Sequence, residues 1–215
     1  MKQWDSIFIH LDSIGFSSKK NLGRLRKLQF LNLTKPDDLI LDLFCGRCDT
    51  GYGLKDSRPK IINGDVSFNL LKINKGVKNK IQLDARQLPF KDGQFNAVII
   101  QGGLHHLESF YQVAICLNEL KRIVKSNGHV FISEPGNTLL LKLWLFCIKR
   151  TNLWKLTPYS RNWHSLYRAE ERTHSIYLAN VKKLIDYLNN NWVIEFHKVG
   201  LVTEFFTLKK YTHLP

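Results

Sequence analysis

Cysteine is scarce in this chain: four among 215 residues, Cys45, Cys48, Cys116 and Cys147. That is too few for a disulfide scaffold at this length. The Cys45-x-x-Cys48 spacing is half of a zinc or redox motif. A structural zinc needs four ligands and the other cysteines stand alone, so two small residues in a tight loop are expected there, and no metal. Long apolar runs are missing too. A bilayer-spanning helix needs ~20 apolar residues, and the longest stretch, Leu139–Ile148, is broken by Lys142. The opening MKQWDSIFIH carries an Asp and no apolar core ending in small residues. It is not expected to act as a secretory signal, and a cytoplasmic location is the expectation. No G-x-G-x-x-G and no G-x-x-x-x-G-K-[ST] occurs, so the usual glycine cradles for dinucleotide or triphosphate are absent. Acidic residues are few, 18 against 32 Lys and Arg, for a net charge of +14. Such a charge attracts polyanions, whether nucleic acid, anionic lipid or phosphorylated substrates, without choosing among them.

What is present has the composition of an ordinary globular domain, 44% hydrophobic and 23% charged. Residues 1–34 read as basic and helical. Ser17 and Ser18 are candidate caps for a helix from Lys19 to about Leu31. Leu22, Leu25, Leu28 and Leu31 would form its apolar stripe, and Lys19, Lys20, Arg24, Arg26 and Lys27 a solvated outer face or, alternatively, a cap over an active-site mouth. Short β-branched runs follow at Leu39–Phe44, Lys60–Asp65, Lys80–Asp84, Phe95–Gln101 and Gly128–Glu134. A helix over Phe110–Lys125, stopped by Asn127-Gly128, is the clearest of those between them. Strands alternating with helices predict a parallel sheet wrapped by helices. Residues 137–175 break the alternation with Trp144, Trp154, Tyr159, Trp163 and Tyr167 among basic residues. A helix near Leu178–Asn189 and two β runs, Trp192–Val199 and Val202–Leu208 around Gly200, predict an antiparallel hairpin at the sheet's edge. The expected whole is one α/β domain, a Rossmann-like sandwich with a mostly parallel seven-stranded sheet and helices on both faces. Its parts are a core over 35–136, an insertion over 137–175 and a C-terminal helix with edge strands over 176–215.

Ligands of open α/β sheets bind beyond the carboxyl ends of the strands, where strand order reverses. Here those ends read Asp42-Leu43-Phe44-Cys45-Gly46-Arg47-Cys48, Asp65-Val66, Asp84-Ala85 and Gln101-Gly102-Gly103. A carboxylate such as Asp65 can accept from both hydroxyls of a ribose. A ligand with an adenosyl group and no phosphates suits a loop whose only glycine at the turn is Gly46.

In these stretches the sequence resembles the class I S-adenosylmethionine-dependent methyltransferases, of the small stand-alone subgroup that includes quinone, sterol and natural-product enzymes. Leu41-Asp42-Leu43-Phe44-Cys45-Gly46 resembles the first motif, Gly64-Asp65-Val66-Ser67 the ribose motif, and Asp84-Ala85 with Leu88-Pro89-Phe90 the adenine-side motif. Leu104-His105-His106-Leu107 resembles the exit of the fourth strand, and Glu119–Gly128 the approach to the fifth. The resemblance implies S-adenosylmethionine as cofactor. Asp42, Phe44, Cys45 and Gly46 would line its methionine side, Asp65 the ribose, and Val66, Asp84 and Ala85 the adenine, with Gln101 near the sulfonium. The family usually has Gly where Phe44 and Cys48 stand, and Asp where Asn96 stands. At a position needing positive φ a Cβ costs roughly 1–2 kcal/mol.

Methyl transfer to a hydroxyl gains from a general base. His106 and His105, just past strand four, are the expected candidates, with Glu134 at the end of strand five as a third. The expected acceptor is a small molecule, reacting at oxygen, nitrogen or carbon, with residues 137–175 as its lid. Leu139–Trp154 also has the Leu, Trp and Lys mix of interfacial segments, which makes a membrane-lipid acceptor and peripheral membrane contact the second reading. An RNA acceptor is the third, and a non-catalytic partner subunit the fourth.

Overall fold

The computed structural model describes residues 18–54 and 59–210, apart from the side chains of Ser18, Leu153, Tyr159 and Trp163. The expectations for residues 1–17, for the cap side chains Ser17 and Ser18, and for the rings of Tyr159 and Trp163 lie outside the described residues.

The described residues begin with helix α1 (Ser18–Lys27) and a single turn, α2 (Phe30–Leu33). Gln29 between them is left-handed, with φ 59°, and it ends the helix short of the expected Leu31. The leucine spacing explains why. Residues three apart drift by about 60° per step around a helix of 3.6-residue period, so four of them cannot face one core. Leu25 and Leu28 are buried, Leu31 is exposed, and Phe30 takes the core position instead, edge-on to Phe131 at 5.1 Å.

Strands β1 (Leu39–Leu43), β2 (Lys60–Asp65), β3 (Lys80–Gln82), β4 (Phe95–Gln101) and β5 (Val124–Pro135) alternate with helices α3 (Asp49–Gly53), α4 (Phe68–Ile73) and α5 (Phe110–Ile123). Then come α6 (Leu139–Arg150), α7 (Pro158–Ala179), α8 (Val181–Asn191), β6 (Val193–Val199) and β7 (Thr203–Lys209). The sheet has seven strands in the order β3-β2-β1-β4-β5-β7-β6. All pairs among β1 to β5 are parallel, and β7 is antiparallel to both β5 and β6. The expected α/β sandwich with an edge hairpin is therefore present, and its strand order reverses between β1 and β4.

Alternation along β1 and β4 divides the core. Leu41, Leu43, Val98 and Ile100 pack with Leu117, Leu120, Leu184 and Leu188 of α5 and α8. Ile40, Ala97 and Ile99 pack with Leu25, Leu28 and Phe30 on the other face. Each fully buried Leu, Ile or Phe contributes about 1.5–3 kcal/mol. Asp42 shares the second face, since side chains two apart on a strand point the same way.

Several boundaries differ from expectation, among them β3, which ends at Gln82 and not at Asp84. Helix α5 stops at Ile123 and not Lys125, because Val124 turns extended and pairs with Phe95. The Asn127-Gly128 turn then lies within β5, at a register shift, with Asn127 at φ 62°. Residues 137–175 are mostly helix, and α7 runs on to Ala179, where Asn180 separates it from α8.

Candidate active site

The loop after β1 is built from left-handed residues. Phe44, Gly46 and Cys48 have φ of 58°, 53° and 60°. The conformation that makes glycine usual at 44 and 48 is therefore present, and two Cβ-bearing residues adopt it. Cys48 is buried and Phe44 lies against Gly103, where an added Cβ would come within 2.3 Å of the Phe44 ring. The Cys45 and Cys48 sulfurs are 3.5 Å apart and unbonded. Asp65 anchors the loop from the next strand: one oxygen accepts the Gly46 N–H and the other the Ser67 N–H, each at 2.8 Å. Asn96, where the family has Asp, accepts from the Leu39 N–H and from Lys125, tying β1 and β5 to the start of β4.

Beneath the loop two acceptors converge on α3. Asp42 accepts the Gly51 N–H, and its Oδ2 is buried with no hydrogen-bond partner. Burial, with the charge of Asp65 behind it, lifts this carboxyl to about 8. Gln101 donates to Thr50 Oγ1 at 3.2 Å, and its Oε1 is likewise buried without a partner. A buried acceptor left unsatisfied costs about 1–3 kcal/mol. A ligand bringing positive charge or N–H groups to this floor relieves both.

On the adenine side the assignments separate. Val66 is exposed beside Asp65, an apolar surface a flat base can cover, and Ala85 is buried. Asp84 is held bidentately by Arg86, with contacts of 2.6–3.1 Å, so its carboxylate, the expected partner of a base, already faces a guanidinium.

Past β4, the turn Leu104–His106 brings both histidines to the site. His105 lies between two buried carboxylates, Nδ1 2.7 Å from Glu134 and Nε2 3.5 Å from Glu170. Burial alone would depress it. The hydrogen bond and charge of Glu134, then of Glu170, outweigh burial and raise it to about 10. It is an imidazolium at neutral pH and so is corrected from candidate base to a fixed cation. Glu134 is corrected as well: one oxygen accepts the Gly103 and Leu104 N–H groups at 2.7 and 2.8 Å while the other holds His105, and that bonding holds it below the usual carboxylate range despite burial. His106, its ring tilted by 41° and 4.2 Å from that of His105, is pushed down to about 4 by burial and by the His105 charge. It is neutral at pH 7 and can accept a proton or a hydrogen bond.

Several residues here were not singled out by sequence. Glu170, His174 and Tyr177 come from α7, and His174 and Tyr177 have side-chain atoms buried without partners, Nδ1 and the hydroxyl. Their i, i+4, i+7 spacing was the available signal, hidden among basic and aromatic neighbours. A His105 nitrogen, a His106 nitrogen and a Glu170 oxygen lie within 4.8 Å of one another, a spacing a divalent ion could span. His105 already bridges the two carboxylates through its two ring nitrogens, one positive charge between two negative ones. From α1, Asn21 donates to Thr50 at 3.1 Å, and Arg24 is depressed by burial within the field of Glu134. Lys19, Arg26 and Lys27 form the expected outer face, while the inner face of the same helix packs on the loop.

Residues 41–132 match the model of the methyltransferase domain family. That segment runs from β1 into β5 and holds the loop after β1 and the turn after β4. The methyltransferase fold extends beyond the matched segment. A solved S-adenosylmethionine-dependent methyltransferase from Methanosarcina mazei superposes with a TM-score of 0.64 at 14% identity, over 86% of this chain and 98% of that one. Among curated proteins, a demethylmenaquinone methyltransferase of Bacillus cereus is 30% identical over 118 residues, 50% of this chain and 48% of its own. A probable tRNA methyltransferase 9B of Homo sapiens is 30% identical over 152 residues, 68% of this chain and 31% of its own. The chain thus spans about half or less of the length of these relatives.

Proposed function

We propose that this protein transfers a methyl group from S-adenosylmethionine to a small-molecule acceptor. The observation that carries the reading is the floor at the β1/β4 reversal, where Asp42 Oδ2 and Gln101 Oε1 are buried acceptors without partners. The sulfonium and ammonium of the cofactor are cations of the kind that floor accepts, and no phosphate cradle is required. When bound, the cofactor supplies a methyl carbon activated by the sulfonium.

The chain's own residues then have separable tasks. Gly46 passes the backbone close to the ligand, and Asp65 holds the loop and is the carboxylate placed to accept from ribose hydroxyls. Val66 and Ala85 flank the base. The fixed His105 cation, clamped by Glu134 and Glu170, sets the position of the Gly103–His106 turn. His106, neutral and less enclosed, accepts the acceptor's O–H or N–H and aligns its lone pair with the methyl carbon. His106 would take up the acceptor's proton as the methyl group is transferred and pass it to water. The two curated relatives act, by their names, on a quinone and on tRNA, so they divide on the acceptor. A small molecule is the reading carried forward, and label taken up by RNA is the outcome that would replace it.

Calorimetric titration with S-adenosylmethionine and with its demethylated product tests the cofactor. Heat and a thermal shift with both are expected; neither with either ends the reading. Radiolabelled transfer onto fractionated extract tests the acceptor, with label expected in the small-molecule fraction and not in RNA.

A further inference from the structure

Helix α6 is apolar on nearly every side. Leu141 and Ile148, seven residues apart, are the buried stripe that packs on the body of the protein. Opposite them Leu139, Leu143 and Phe146 follow the i, i+4, i+7 rhythm, and Leu140 and Trp144 fill the next row. All five are exposed, Leu139 by 72%. A helix apolar all round belongs in a large core or against a membrane.

The patch continues past the helix. Thr138 Oγ1 donates to the Leu201 carbonyl at 2.6 Å and the Gly136 N–H to the Val202 carbonyl at 3.0 Å. These bonds fasten the β6–β7 turn to the start of α6, and Leu201, 77% exposed, and Val202 extend the apolar surface there. Scattered exposed apolar residues are ordinary, whereas a contiguous set marks an interaction site.

Charge selects the partner. From Pro135 to Ala169 the sequence holds no Asp or Glu, but it holds Lys142, Lys149, Arg150, Lys155, Arg161 and Arg168. The acids that bracket the stretch, Glu134 and Glu170, turn inward onto His105. Lys142 and Lys149, seven apart, border the apolar row on one side; Lys149 also reaches Glu171 at 2.9 Å. An apolar row bordered by cations and free of anions complements anionic headgroups above acyl chains.

We propose that the outer side of α6 and the β6–β7 turn form a docking surface for an anionic phospholipid bilayer. The apolar row enters the headgroup boundary and the basic side chains meet lipid phosphates. The surface begins at the end of β5, directly after Glu134, so a docked protein holds its active site beside the membrane. Vesicle binding needs no cofactor, so this inference and the methyl-transfer reading stand or fall separately.

Co-sedimentation of the full chain with vesicles tests it. Binding to phosphatidylglycerol–phosphatidylcholine vesicles is expected, weakening as salt shortens the ~8 Å screening length of physiological ionic strength, with little binding to phosphatidylcholine alone. The variant Leu143→Glu/Phe146→Glu, altered only at exposed positions, is expected to keep its melting temperature and lose about tenfold or more in vesicle affinity. Lys142→Glu/Arg150→Glu is expected to lose the preference for anionic vesicles. Wild-type protein left in the supernatant with both vesicle types overturns the proposal. So does undiminished binding by the apolar variant. A dimer in sedimentation equilibrium that the apolar variant dissolves, without vesicle binding, assigns the surface to a second copy. A tRNA gel shift abolished by the charge variant, again without vesicle binding, assigns it to nucleic acid.

Discussion

Asp42 is a carboxyl group denied water, with one oxygen on the Gly51 N–H and the other without a hydrogen-bond partner. Its lift from 3.8 to about 8 comes from burial first and Asp65 second. Because the folded value is the higher, Asp42 stabilises the fold fully below its ordinary range, and that contribution is lost as pH rises through about 8. The melting temperature of Asp42→Asn relative to the parent should therefore climb as pH rises from about 4 to about 8 and level off above that, by calorimetry. Cofactor binding should show the opposite trend. A cationic ligand favours the ionised carboxylate, so binding near neutrality should release a proton and tighten as pH rises, and the Asn variant should lose both effects. Titrations in buffers of different ionisation enthalpy measure this directly. Gly103 offers a second test at this scale. A Cβ there meets Phe44 at 2.3 Å, so Gly103→Ala should lose about 1–3 kcal/mol by overpacking. Phe44→Ala in the same chain should restore part of that loss, as denaturant unfolding would show.

Between elements, the clamp on His105 joins the turn after β4 to β5 through Glu134 and to α7 through Glu170. Removing one partner of a buried pair typically costs about 3–5 kcal/mol, since the remaining charge is left uncompensated. Glu134→Gln should destabilise more than Glu170→Gln, because Glu134 also holds the Gly103 and Leu104 N–H groups. Hydrogen exchange at the 103–106 turn should rise in both variants. His106→Ala should lower turnover by about 10²-fold or more, the lower end of general-base contributions, with cofactor affinity nearly unchanged. Equal losses in both would make His106 a packing residue.

For the whole molecule these groups set a pH window. His106 and His174 are depressed to about 4 by burial and then by the His105 charge. Their contribution is present above about 6.5 and is lost as pH falls through 4. His105, raised to about 10, contributes fully below 6.5 and is lost as pH rises through 10. With Asp42 lost through 8 on the same side, melting temperature should peak slightly below neutrality and fall in both directions. Thermal melts from pH ~4 to ~10 check this.

The strand ends were legible in the linear chain because alternation and turn residues are local physics. An apolar run broken by Asp or Gly stops where a sheet stops, so β1, β2 and β4 and the acids closing β1 and β2 could be placed from spacing alone. The left-handed demand at Cys48 was legible only through the resemblance, from the glycine the family usually has there. The roles of His105 and Glu134 were not. A histidine beside a histidine looks like a base until Glu134 and Glu170, 29 and 65 positions further on in the sequence, are folded onto its two nitrogens. The leucine repeat in α1 likewise predicted one long stripe, and only the core position taken by Phe30 shows why the helix had to stop. Protonation and burial depend on neighbours brought together by tertiary contacts. The pattern of residues along the chain set the fold and the acids at its strand ends, and the packing of α7 onto the turn after β4 set which histidine is a fixed cation and which is left neutral.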